Sequence, residues 1–463
     1  MSGRIAVATS FAPSLVRTDM GRKMPDYDRL CIRSWAACGF RVLAMNGCDE
    51  IPALAARYPE IEFVTAPRNA REVFGRNTPF IADMMAVLAS QPEPVLGIIN
   101  SDLLFEPVPQ WRTLEYLAGQ KALVTGHRYD VRTLAGGVLH PYLPGFDYFF
   151  FDHAAADVLA KTDRPFSLGL PWWDYWFPLS LALRGYRLLT VTSPAVLHLA
   201  HESQTDARTD SWRRLAIEFA RSMVQDRELG PIAHPNWDNF IALCGELDAA
   251  SDDDLTSGAC DEKIIHLSEL AVPIVEGRSA VLEPPTVPMA REPSVLPSYF
   301  ADMPTRIEAG RALHQALWED HHDRPVAAFP LYKKALDLVP ADPGVLLACG
   351  NFLASVGNLE RAAILIGHAV DRAPDSAPLL NSLGATLRQL EREDDAITCF
   401  ERALAADPHY GGAYLNLALA LQPRGKEGEI IARLEAELQH PDFADGASWL
   451  RRIREALLPI TIS

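Results

Sequence analysis

A single carboxylate stands where a short apolar run ends. Val95 to Ile99 leads into Asn100-Ser101-Asp102, and apolar residues resume at Leu103. An apolar run of this length, rich in branched residues and bounded by prolines, reads as a buried central strand. Ligands of open α/β sheets bind beyond the carboxyl ends of such strands. A carboxylate there can hold a divalent cation, and the cation a diphosphate, so Asp102 is the first candidate metal ligand. The competing reading is an Asx turn in which Asp102 caps backbone N–H groups. His198 and His201, in Leu197-His198-Leu199-Ala200-His201, carry imidazoles that suit Mn²⁺-like ions. On a continuing strand the two point to opposite faces, so at most one of them can share a site with Asp102, and His198, which follows the apolar run, is preferred. Either could instead be an ordinary core or surface histidine.

A second cluster is Trp172-Trp173-Asp174-Tyr175-Trp176. Rings beside a carboxylate fit a sugar, whose C–H face stacks on an aromatic while Asp accepts hydroxyl hydrogen bonds. The alternative makes the tryptophans core and Asp174 a helix cap. Asp147, in Gly145-Phe146-Asp147-Tyr148, is a further candidate for sugar hydroxyls. Arg68, Arg71 and Arg76 precede a helical stretch that contains Asp83. Arginine suits diphosphate geometry, although such a group also reads as a solvated loop. Arg128 follows an apolar run and is expected to line the same pocket.

These residues need a scaffold, and the first hundred residues supply one. Arg4–Ser10, Arg41–Met45, Ile61–Val64 and Val95–Ile99 read as strands, alternating with helical spacing over Tyr27–Gly39, Ile51–Tyr58 and Thr78–Ser90. That alternation predicts a mostly parallel, covered sheet. Tyr148–Phe151 reads as a core strand, and Trp212–Val224 as an amphipathic helix near the end of this domain.

Residues 1–245 resemble the GT-A type of nucleotide-sugar transferase, on the alternating N-terminal half, the strand-end Asn100-Ser101-Asp102 and the late histidines. The resemblance implies a Rossmann-like mixed sheet and a divalent metal, Mn²⁺ or Mg²⁺, bridging a nucleotide diphosphate. It implies metal ligands at Asp102, His198 and His201, and a base or acceptor-binding role for Asp174. It further implies nucleotide contacts from Thr9, Ser10 and Phe11, with Arg76, Asp83, Asn100 and Arg128 completing the donor site and Asp147 meeting the sugar. The family's first acidic position is Asn100 here, which can offer a carbonyl ligand but no charge.

Beyond residue 305 the chain repeats. Pro340, Pro374 and Pro408 are 34 residues apart, as are Ala335, Ala369 and Ala403, and Ala328, Ala362 and Ala396. Gly350 and Gly384 align where two helices must approach closely. The pattern resembles the tetratricopeptide repeat, with repeats at 309–342, 343–376 and 377–410, a degenerate fourth from Gly411, and a capping helix over Trp449–Leu458. Between the halves, residues 246–304 contain Asp252-Asp253-Asp254 and many prolines, a composition that reads as an extended linker.

The chain has 463 residues, so two or three domains are expected. A formal charge of -17 argues against a nucleic-acid or anionic-membrane surface. Seven scattered cysteines with no CxxC pair read as reduced thiols, and no signal peptide or membrane span is apparent, so a cytoplasmic location is expected. The leading expectation is a metal-dependent glycosyltransferase acting on an acceptor, with the repeats bringing a protein partner or protein acceptor. The alternative is a non-catalytic repeat scaffold carrying a degenerate nucleotide-sugar-binding domain. A nucleotidyltransferase would need a glycine-rich basic loop after the first strand, which Ser10–Asp19 lacks. The oligomeric state is open.

Overall fold

The architecture is that of a computed structural model, described over residues 5–12, 17–19, 22–24, 26–131, 138–191, 195–200, 209–230, 232–282, 302–438 and 446–457. The chain forms two compact units. The first gathers residues 1–17, 25–130 and 141–300, and the second residues 18–24, 131–140 and 301–463.

The first unit is built on a mixed sheet. Its strands, in chain order, are β1 (Ile5–Thr9), β2 (Phe40–Asn46), β3 (Glu62–Thr65), β4 (Val95–Ile99), β6 (Ala122–Gly126), β8 (Tyr148–Phe151), β9 (Arg187–Val191) and β11 (Ala280–Val281). Two further strands, β5 (Leu103–Phe105) and β10 (Val196–Leu199), pair with each other, and β7 (Tyr129–Val131) shares their smaller sheet. The main sheet runs β11-β9-β6-β8-β4-β1-β2-β3. Strands β4, β1, β2 and β3 are parallel. β8 is antiparallel to both neighbours, β4 and β6, and so enters the sheet where β4 leaves it. β1, β4 and β8 are buried along their whole length, which accounts for their nearly unbroken apolar sequences. The order reverses between β1 and β4, since β2 lies on one side of β1 and β4 on the other.

Residues 246–304 do not open as an extended linker. Ser251 and Asp254 form a capping box that starts a helix over Asp252–Ser257. Carboxylates in a first helical turn are favourable there, so the acidic triplet marks a helix start. A second helix, Asp261–Arg278, buries Ile264, Leu267, Ala271, Val272, Ile274 and Val275 and carries Pro273 inside it. The chain then adds β11 to the sheet edge alongside β9. Most prolines behind the linker expectation follow residue 283, outside the described residues.

The second unit is a run of helix pairs: Met303–His321 with Pro325–Leu338, Pro343–Ser355 with Leu359–Arg372, and Ala377–Gln389 with Glu393–Ala406. Gly411–Leu421, Glu427–Glu437 and Gly446–Leu457 follow. Pro340, Pro374 and Pro408 each fall just beyond the second helix of a pair, where proline stops it. Ala328, Ala362 and Ala396, and Ala335, Ala369 and Ala403, are fully buried. A Cβ on Gly384 would stand 2.5 Å from Cε1 of buried Phe400, and one on Gly350 would run into Ile366. The small residues are therefore what lets the paired helices touch.

Val138–His140 packs within this second unit. Val138 joins the core of Ala309, Leu313, Ala328 and Tyr332. Its N–H donates to Oδ2 of Asp342 at 3.1 Å, and the N–H of Leu139 donates to the carbonyl of Arg306 at 3.2 Å. Asp342 also accepts from Val345 N–H at 2.7 Å, as the N-cap of the helix Pro343–Ser355. No helix among the described residues is long and apolar enough to cross a membrane.

Candidate functional site

The strand ends bring together a chain of alternating charges. β4 delivers Asn100 and Asp102, and β8 runs the opposite way, so Asp147, just before β8, falls opposite Asn100. The Asn100 N–H donates to the Asp147 carbonyl at 3.0 Å, and Asn100 Nδ2 donates to Asp147 Oδ1 at 2.5 Å. Asp147 Oδ2 meets Arg128 Nη1 at 2.7 Å, and Arg128 Nε meets Asp130 Oδ1 at 2.9 Å. The same Asp130 oxygen faces His198 Nδ1 at 2.9 Å, and His198 Nε2 faces Asp102 Oδ2 at 3.3 Å. The β5–β10 pairing sets that last contact: His198 lies opposite Leu103, one residue past Asp102. Tyr27 locks the corner, its hydroxyl donating to the Asp102 carbonyl at 2.9 Å and accepting from Leu199 N–H at 3.0 Å.

The protonation states follow from these contacts. Burial works to lower the pKa of His198, but Asp102 and Asp130 more than reverse it and hold it above the usual histidine value. Nδ1 of the ring is hydrogen-bonded to Asp130, while Nε2 lies within ion-pair distance of Asp102 without a hydrogen bond to it. Burial would likewise lower the pKa of Arg128, and Asp147, Asp130 and Asp102 more than restore it. Its guanidinium also lies over the Tyr142 ring, 3.9 Å from the centroid. Burial raises the Asp130 pKa, yet hydrogen bonds from His198 and the charge of Arg128 bring it below the usual carboxylate value. Asp147 is buried and displaced upward by that burial, with Arg128 and His198 opposing.

Asp174 sits in the first turn of the helix Trp173–Leu183, close against Gly145, and accepts from Phe146 N–H at 3.4 Å. Burial first, and then the charge of Asp147, push its carboxyl up to about 7. It can therefore exchange a proton near neutral pH.

Other expected site residues lie elsewhere or play another part. Phe11 is core: it stacks on Tyr58 with centroids 5.1 Å apart and packs near Trp35 and Phe63, so its ring has no face to offer a base. Its backbone is held by Asn46, which donates to the Phe11 carbonyl at 2.8 Å. Thr9 is fully buried and Ser10 half-buried at the end of β1. Asp83 is engaged by Arg68 at 2.9 Å, and Arg71 by Asp49 at 2.8 Å, so this group is a set of surface ion pairs apart from the cluster. Arg76 is half-buried in the loop before the helix Ile81–Ala89. Trp172, Trp173 and Trp176 are core, packed on Phe219, Phe149 and Phe166, which overturns the expectation of a sugar-stacking surface there. His201 lies outside the described residues.

Asp130 and Tyr142 were not legible as site residues. Asp130 is two residues beyond Arg128 on extended chain, a spacing that puts both side chains on one face, and this is the one sequence signal that marks it.

The donor set does not fit a divalent ion as arranged. His198 Nδ1 is bonded to Asp130, its Nε2 lies 3.3 Å from Asp102, and Arg128 stands between Asp130 and Asp147. Among the described residues, no three His, Cys, Asp or Glu side chains converge as metal ligands.

The fold and site thus define a mixed-sheet α/β unit with a buried acid–base cluster and a separate unit of helical repeats. Residues 321–387 match the tetratricopeptide repeat family, so the chain carries tetratricopeptide repeats. A peroxisomal targeting signal receptor from Yarrowia lipolytica is 33% identical over 93 residues, covering 20% of this chain and 16% of that protein's length. Among solved structures, the first tetratricopeptide unit of Spaghetti (RPAP3) bound to an HSP90 peptide is 18% identical, covers 26% of this chain and 94% of that one, and gives a TM-score of 0.25. A mutant O-GlcNAc transferase from Thermobaculum terrenum is 23% identical, covers 30% of this chain and 27% of that one, and gives a TM-score of 0.27.

Proposed function

We propose that this chain is a protein-binding repeat protein, whose tetratricopeptide unit takes up a segment of a protein partner. The observation that carries this reading is the run of helix pairs in register with the family match at 321–387. Stacked pairs present their first helices side by side as one extended surface. Asn381 and Asn416, on the first helices of successive pairs, are half-buried on that surface and joined by a 2.9 Å hydrogen bond, ready to hold a peptide backbone. The test is a peptide array probed with the full chain. Peptides that bind should lose about tenfold or more affinity to an Asn381→Ala, Asn416→Ala double variant whose melting temperature is unchanged. An array with no binder, or binding indifferent to those changes, sinks the reading.

A second reading is favoured by one observation, the convergence of Asp102, His198, Asp130, Arg128, Asp147 and Asp174 beyond the carboxyl end of β4. In this reading the front unit is a glycosyltransferase or its degenerate descendant. A nucleotide sugar is the donor, Asp147 and Asn100 meet its hydroxyls, and Asp174 takes the proton from an acceptor hydroxyl. The acceptor is a protein delivered by the repeats. A panel of nucleotide sugars, each with and without Mn²⁺ or Mg²⁺, tests it by thermal stabilisation and donor hydrolysis. Hydrolysis that falls about a hundredfold in Asp174→Asn supports the enzyme. If no donor raises the melting temperature, the binding-protein reading stands alone.

A further inference from the structure

We propose that Arg128 is the resident cation of the strand-end cluster, occupying the electrostatic position of a divalent ion among Asp102, Asp130 and Asp147. The proposal deepens the transferase reading of the same site, but it rests on the geometry of the ion pairs alone.

Three carboxylates at one sheet end repel one another, and a buried group of that kind needs positive charge nearby. Two sources lie in reach: a metal ion from solution, or cations of the chain itself. Here the chain supplies them. The guanidinium fork spans two of the carboxylates, Nη1 to Asp147 at 2.7 Å and Nε to Asp130 at 2.9 Å. A planar fork does this without the strict octahedral shell that Mg²⁺ demands. The side chain is largely covered, and Tyr142 packs on its face, so the arginine is held rather than sampled. His198 lies beside the same group, its Nδ1 2.9 Å from Asp130 and its Nε2 3.3 Å from Asp102.

Asn100 fits the same scheme. A metal site gains from an acid at that position, whereas a site already holding the Arg128 guanidinium would be left with uncompensated charge by a fourth carboxylate. The Asn100 amide gives a hydrogen bond to Asp147 instead. The consequence is a site with little affinity for divalent ions while Arg128 is present, and a latent cation site once it is removed.

The experiment is a Mn²⁺ titration of the full chain, by calorimetry and by the loss of the free-ion spin-resonance signal. The unsubstituted chain is expected to show no saturable binding below about millimolar Mn²⁺. Arg128→Gln is expected to gain one site at least a hundredfold tighter, and Mn²⁺ should raise the melting temperature of that variant alone. Where Arg128→Gln does not fold in chelator, refolding it in Mn²⁺ replaces the titration: recovery of the fold supports the proposal, and no recovery overturns it. Tight Mn²⁺ binding by the unsubstituted chain that is lost in Asp102→Asn overturns it. So does a folded Arg128→Gln chain that binds no Mn²⁺, because the carboxylates would then form no cation site. None of these readings uses a nucleotide sugar, so a donor panel without hits would remove the transferase reading and leave this result intact.

Discussion

Asp174 is a residue whose ionisation is tied to the fold. The folded chain holds the Asp174 proton to about pH 7, while an unfolded aspartate releases it near pH 4. Between those values the folded state binds the extra proton, so this residue's contribution to stability falls as pH rises through the window. Asp174→Asn should therefore gain on the unsubstituted chain between pH 5 and pH 8, by on the order of 1–4 kcal/mol in urea unfolding. Identical pH dependence of the two chains would show that the carboxyl is not held protonated. Asp102 was legible as a strand end after an apolar run, whereas His198 was joined to it only through the resemblance to the transferase family, and as a metal ligand. The sequence could not show that Arg128 pairs with Asp130 and Asp147, because a long flexible side chain finds its partner in space and leaves no periodic trace. Phe11 failed for a related reason: an aromatic after a strand looks the same in sequence whether its ring faces a ligand or Tyr58 and Trp35.

At the scale of elements, glycines and caps make the sharpest forecasts. Gly384 and Gly367 both lie inside repeat helices, where alanine has the better helix propensity by about 1 kcal/mol. Gly367 has nothing within 4 Å of where a Cβ would stand, so Gly367→Ala should stabilise by about 0.5–1 kcal/mol. At Gly384 the new methyl would meet the Phe400 ring at 2.5 and 2.8 Å, and Gly384→Ala should cost about 1–3 kcal/mol despite the better propensity. Denaturant titration of the two variants should give opposite signs, and equal signs would discredit the helix packing. Asp342→Ala removes acceptors for two N–H groups, those of Val345 and Val138, and should cost about 1–3 kcal/mol in the same assay. The repeats were legible because one period governs helix length, packing residue and stop proline together. The helices at 252–278 were hidden because their acids and proline have the composition of a linker, while the capping box and buried stripe depend on which residues are neighbours three and four apart.

For the whole molecule, the two units do not divide the chain at a single point. Residues 131–140 belong with the repeats, although the chain on both sides of them belongs to the first unit. A fragment of residues 302–457 should therefore fold with part of its first helix pair uncovered. Adding a synthetic peptide of residues 131–140 should raise its melting temperature by several degrees, and no shift would mean that Val138 contributes nothing to that core. The arrangement also bears on synthesis. Val138–His140 leaves the ribosome before any repeat exists, and at the usual 5–20 residues per second its partners Arg306 and Asp342 follow on the order of ten seconds later. During that delay the segment has no core to enter, so the second unit completes its first pair only after translation has run well past the first unit. A slowly translated or truncated message would leave this apolar segment waiting, and open to chaperones and proteases in that interval.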